Sequence, residues 1–156
     1  MATNTTLQYL EGTGEDAFGN SVSLGSGLSN RRQVETFMSN DTIAIGDAVS
    51  FDLAQAQVGD KVLHVKKADT GSNNTRCGVG IALNAAAVGD KVAVVVAGLA
   101  NAKVKAATGI GERLSIYSTT AGVLEPYQAS FEDPILAVAA TAESGGLSQV
   151  VVLKQF

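Results

Sequence analysis

The pentapeptide VGDKV stands twice in this chain, at 58–62 and at 88–92. Both copies belong to a series of four segments: IGDAVSF from Ile45, VGDKVLHV from Val58, VGDKVAVV from Val88 and IGERLSIY from Ile110. Each sets down an apolar residue, a glycine, an acid and then a β-prone run in the same order. Glycine reaches the positive φ that closes a tight turn, the acid accepts hydrogen bonds from nearby backbone N–H groups, and a strand begins within two residues. A chain punctuated in this way reads as short strands and leaves no room for long helices.

From Thr42 onward the strands expected on this grammar cover 48–53, 61–66, 78–83, 91–97, 113–118, 135–140 and 148–154. VAVVVAG (from Val92) and VVVL (from Val150) are apolar on successive residues, as strands covered on both faces are, whereas RLSIYS alternates like a half-buried strand. ALNAAAVG is the one helix candidate. It spans barely two turns before Gly89, so it is expected to be a loop or a short helical turn.

Two longer units match each other. GDKVLHV (from Gly59), VGIAL (from Val79) and KVAVVV (from Lys91) answer to GERLSIY (from Gly111), LAVAA (from Leu136) and QVVVL (from Gln149). A duplicated three-strand unit whose halves pack on one another predicts an all-β fold, a compact β-barrel or β-sandwich, since neither half buries its apolar face alone.

Residues 1–41 differ in character. GTGEDAFGNSVSLGSGLSN is rich in Gly, Ser and Asn, with apolar residues too sparse for a lasting period, and reads as an extended N-terminal arm preceding a barrel or sandwich domain at 42–156. Such an arm lacks the apolar area to offset its ordering entropy, and would become fixed on a neighbouring subunit. Within it, RRQVETFMSN is expected to be a short strand, with Val34 and Met38 on one side and Phe37 on the other. MATNTTLQYLEGTGEDAFG has neither the charged leader nor the apolar block of a secretion signal, so synthesis and retention in a cytosol are expected.

Composition narrows the function classes. A formal charge of −4, with Arg31-Arg32 as the one basic doublet, argues against a phosphate-binding surface. No apolar run is long enough to cross a membrane as a helix. Cys77 is the only cysteine and His64 the only histidine, which excludes an internal disulfide and a thiolate metal cluster. His64 reads as a plain strand residue, and no serine stands in an elbow motif. The acids Asp47, Asp52, Asp60, Asp90, Glu112, Glu132 and Asp133 are numerous enough for a two-carboxylate glycosidase, but nearly all fall at expected turns, where backbone capping accounts for them. Asp47 and Asp52 are too isolated in sequence for a calcium loop. Neither GVGIAL nor GIGERL carries the third glycine of a phosphate-binding turn.

The succession CGVGIALNAAAVGDKVAVVVAG, GIGERLSIYSTTAGVLEP and PILAVAATAESGGLSQVVVL, preceded by RRQVETF and IAIGDAVSFD, resembles the small head decoration, or cement, proteins of tailed bacteriophages over residues 31–153. The likeness is one of strand grammar, not of a catalytic signature. It implies a non-enzymatic structural protein of the virion, a β-rich homotrimer made in the host cytoplasm and seated on the outer surface of the capsid. There it would hold adjacent subunits of the major capsid protein together, with no cofactor or metal and no direct contact with nucleic acid or membrane. The expected capsid or intersubunit contacts are Arg31, Arg32, Val34 and Phe37. The alternative is a soluble β-sandwich binding module that recognises carbohydrate on a cell surface. Against it stands the lack of tryptophan and the low aromatic content, 5%, since sugar sites rely on aromatic platforms.

Overall fold

The computed structural model of the chain describes residues 32–69, 77–116, 120–128 and 134–154. Among them run β1 (Gln33–Ser39), β2 (Ala48–Phe51), α1 (Val58–Lys61), β3 (His64–Lys67), β4 (Gly78–Ala82), β5 (Lys91–Lys103), β6 (Arg113–Ser115), β7 (Glu125–Pro126), β8 (Ile135–Ala139) and β9 (Leu147–Val152). The strands follow the order β1-β3-β2-β4-β5-β9-β8-β6-β7, and β1 also pairs with β5. That extra pairing closes β1, β3, β2, β4 and the front of β5 into a five-stranded barrel. All its ladders are antiparallel except β1 with β3.

The expected all-β barrel is in place, and so is the duplication, although its unit is larger than three strands. The back of β5 opens a second ring with β9, β8, β6 and β7, closed by the parallel bridge between Val104 and Leu124. Ladder by ladder, the two rings correspond. Met38 beside Lys91 answers to Lys103 beside Leu147. Val49 beside Lys67 answers to Leu114 beside Pro126, and Ala48 beside Ile81 to Arg113 beside Val138. Even the bulges coincide, at Val49/Ser50 and at Leu114/Ser115. One strand therefore serves both rings, with Gly98 at φ 98° where it passes from one to the other.

This alignment corrects one correspondence. IGERLSIY is the counterpart of IGDAVSF, not of VGDKVLHV. The first VGDKV forms α1 and lies in the longer connection between β2 and β3, and among the described residues between β6 and β7 no helix answers to it. The other two correspondences, β4 with β8 and the front of β5 with β9, are in place, the second to within two residues.

β1 also moves the boundary drawn at residue 41. The strand expected near Arg31 exists, and it lies inside the barrel wall, so residues 33–39 belong to the folded body. Residues 1–31 lie outside the described residues.

The two interiors are filled by exchanged volumes. Phe37 and Phe51 of the first ring, with centroids 5.9 Å apart in an edge-to-face contact, stand where the second has Ala102 and Ile116. Val49, Val65 and Val79 stand where the second has Leu114, Leu124 and Leu136. Cores tolerate such redistribution when total volume and pattern are kept, which leaves the repeat faint in sequence.

Gly80 is the most tightly enclosed of the described glycines. A Cβ there would overlap the carbonyl oxygen of Val95 and lie 2.8 Å from its carbon, because β4 and β5 pair only from Ile81 onward. Its counterpart Ala137 tolerates a Cβ because β8 and β9 remain in register through that position. Gly80→Ala is expected to cost about 2 kcal/mol or more of stability in urea unfolding. Gly59→Ala, in α1 with open space around it, is expected to be neutral or slightly stabilising.

Candidate interaction surface

Any hydrolytic or metal chemistry would need the acids. Asp47 is buried where the two rings meet. Its carboxylate accepts from Lys103 Nζ at 2.6 Å and from the Ala44 N–H at 2.8 Å, with Lys67 Nζ at 4.0 Å. Lys105 pairs with buried Glu125 at 2.9 Å. Asp90 and Glu112 cap the N–H groups of Ala87 and Gly109 at 3.2 and 2.8 Å. Glu132 and Asp133 lie outside the described residues. Among the described residues no three His, Cys, Asp or Glu side chains converge as metal ligands. His64 meets the Asp60 carbonyl through Nδ1 at 3.0 Å, and Cys77 is exposed and free.

Asp52 has the densest donor set. Gln55 Nε2 and Asn40 Nδ2 donate to it at 2.6 and 2.5 Å, the Ala54 N–H at 3.2 Å, and Lys66 Nζ lies 3.3 Å away. Burial pushes this carboxyl up, but the bonds from Gln55, Asn40, Ala54 and Lys66 together outweigh it and hold Asp52 below its ordinary value. The group joins the end of β2 to the segments after β1 and within β3, which is a structural task.

The turns present a different surface. Ala44 to Asp47, Ala87 to Asp90 and Gly109 to Glu112 each close with an N–H to carbonyl bond from the fourth residue to the first, at 3.1, 3.0 and 3.4 Å. The third residues, Gly46, Gly89 and Gly111, have φ of 83°, 87° and 80°. That is the signature of a type II turn, in which the second residue stands at an outward corner. Ile45, Val88 and Ile110 occupy those corners and are 61%, 64% and 73% exposed. In α1 and just after it, Val58, Val62 and Leu63 are exposed as well. Leu63 accepts from the N–H of Met38, and the Gly89 N–H donates to Ser39. The α1 tip and the Val88 corner are thus tied to consecutive residues of β1 and share one end of the first barrel.

The expected contact residues part company here. Phe37 is 7% exposed and packed on Phe51, so it is a core residue and presents no contact surface. Val34, 42% exposed, stands beside Val95 on the outside of the sheet. Arg32 is half-buried just ahead of β1, and Arg31 lies outside the described residues. Sequence reading passed over the exposed corners because an apolar residue before a turn reads as the end of a buried segment. The described aromatic residues, Phe37, Phe51 and Tyr127, are buried or half-buried, and Tyr9 and Tyr117 lie outside the described residues.

No protein family and no curated protein matches the chain. Among solved structures it is similar to the head fiber gp8.5 N base in bacteriophage phi29, with a TM-score of 0.50 and 12% identity over 79% of this chain and 95% of that one. It is also similar to a chain in the capsid of Myoviridae phage XM1, with a TM-score of 0.58 and 15% identity over 99% of this chain and 98% of that one. The fold is therefore one that occurs in proteins of phage heads.

Asp52 yields a pH dependence with a definite sign. Its folded pKa lies below the unfolded one, so its contribution is complete above the ordinary carboxyl range and is lost as the pH falls through the lowered value. Asp52→Asn is expected to cost about 1–3 kcal/mol near neutral pH, because its amide turns donors toward donors. The variant should also lose less stability than the parent between about pH 5 and about pH 2, measured by urea unfolding.

Proposed function

We propose that this protein is a capsid decoration, or cement, protein of a tailed-phage head. It binds the outside of the shell as a homotrimer and stabilises contacts between subunits of the major capsid protein. The observation that carries this reading is the fold likeness to a chain of a phage capsid, which spans nearly the full length of both chains. The likeness to a head fiber base supports the same setting.

The surface chemistry fits cementing. An aliphatic side chain taken from full exposure to full burial contributes roughly 1.5–3 kcal/mol, and contacts repeated over symmetric copies sum. Val58, Val62, Leu63 and Val88 at one end of the first barrel form a seat of this kind. Arg31, Arg32 and Val34 supply the flanking contacts in this proposal, with Phe37 acting from within as the support of β1. A stable seat needs about 1,000 Å² or more in total, which shell and neighbouring copies supply jointly.

The test is cosedimentation of the purified protein with heads that lack it. Leu63→Glu with Val88→Glu, and separately Arg32→Glu with Val34→Glu, are each expected to weaken head binding tenfold or more while leaving the thermal midpoint within a few degrees. Full binding by both double variants would refute the seat, and no binding of the parent chain to any such head would refute the function. Truncation through residue 37 does not serve as a test, since it removes most of β1 and opens the barrel.

A further inference from the structure

The internal repeat places the same outer surface in two settings. On the first barrel, four residues in direct register across β1, β5, β4 and β2 form a row: Val34 beside Val95, Val95 beside Ile81, Ile81 beside Ala48. Val95, Ile81 and Ala48 are fully buried, and they belong to the hydrophobic core of the second ring rather than to that of the first. At the neighbouring Gly78, a Cβ would meet Leu136 and Ile116 of the second ring at 3.2 and 3.3 Å. What covers Val95, Ile81 and Ala48 on the first barrel is the second ring, while Val34 at the end of the row stays 42% exposed.

The counterpart row, again in direct register across β5, β9, β8 and β6, is Leu99, Val151, Val138 and Arg113. Among the described residues no third ring covers it. Val151 is 41% exposed, Arg113 is exposed, and Leu99 and Val138 are half-buried. Buried cross-strand rows of Val, Leu and Ile stabilise a sheet face when another layer covers them, and three of the four positions have kept that chemistry. The fourth, Arg113 in the place of Ala48, puts a cation at the rim of a chain whose net charge is −4.

We infer that this row on the second barrel is the docking surface for a second copy of the same chain, whose first barrel covers it. The occupant follows from the repeat, since the one body seated on a row of this kind is a β-ring of this protein. The contact runs front to back, so it is heterologous, and assembly continues until a ring of three or more chains closes instead of stopping at a two-fold dimer. This deepens the trimer in the proposed function but involves no shell contact, so it stands or falls without heads present.

The experiment is the mass of the full chain in solution, by light scattering and sedimentation over a wide concentration range with no heads added. The expected result is a closed assembly of three or more chains. Val151→Glu and Arg113→Glu are each expected to weaken it at least tenfold with the circular dichroism spectrum unchanged, and Val151→Ile to preserve it. Should Val151→Glu fail to fold, Arg113→Glu decides, because its side chain is exposed. A parent chain that stays monomeric, a strict two-chain dimer, or an assembly indifferent to either charge substitution would overturn the inference. A monomer that still binds heads would overturn it, and the preformed trimer with it, while leaving head binding and the cementing role intact.

Discussion

The fold depends on one strand being shared. β5 is 13 residues long, and its front closes the first ring against β1 and β4 while its back opens the second against β9. Even-numbered residues point inward along its whole length, Val92, Val94 and Val96 into one interior and Ala100 and Ala102 into the other. A strand that ended at Ala97, as the continuous apolar run before Gly98 suggests, would leave two unconnected half-structures. Continuing through Gly98, it makes each ring a wall of the other and turns Val95, Ile81 and Ala48 from surface into core. A charged staple completes the junction: Asp47 sits beside Lys103, the Ala48 N–H donates to Gly122, and Lys103 donates its own N–H to Gly46.

With the backbone so closed, the acidic and the exposed apolar side chains differ in what they do. Of the acids that invite a catalytic reading, Asp90 and Glu112 are committed to turns, Asp52 to its donor cluster, and Asp47 to a turn and to Lys103. The outward-facing apolar residues are of a different kind. A type II turn pins its second residue at a corner regardless of that residue's polarity, so an isoleucine or valine there is exposed by geometry. A soluble chain carries scattered apolar residues without consequence. A repeated set on corners and on α1, on a fold that occurs in phage heads, suits a protein whose partners are other surfaces.

Much of this was legible in the residues. Three of the four Gly-acid turns close as the grammar requires, and the acid caps the N–H three residues before it in each. Most strands begin where the turn residues place them, since strand starts follow local turn chemistry. β7, two residues around a proline, was not legible, because so short a pairing has no period to read. Among the contact residues, Val34 lies on the surface, whereas Phe37 lies in the core. The parity of a strand is visible in sequence, but which parity faces the barrel is decided by the partners on either side. The covered row of the first ring was equally invisible, since it depends on β-strands that lie far along the chain.

The two copies of VGDKV separate what sequence determined from what tertiary structure decided. By itself the sequence determined that the chain is all-β, that Gly-acid pairs lead into most of its strands and that it is built from a repeat, because these follow from φ preferences, local hydrogen bonds and periodicity. The copy at 88–92 is a type II turn leading into β5, where the Ile43–Ala86 bridge behind it and the pairing with β1 ahead of it hold both flanks extended. The identical copy at 58–62 lies in the longer connection between β2 and β3. The N–H of Asp60 bonds to Gln57 and that of Leu63 to Asp60, so its backbone groups are satisfied locally and it coils into α1. Five residues carry too little free energy to choose between those states, and the strands around them make the choice.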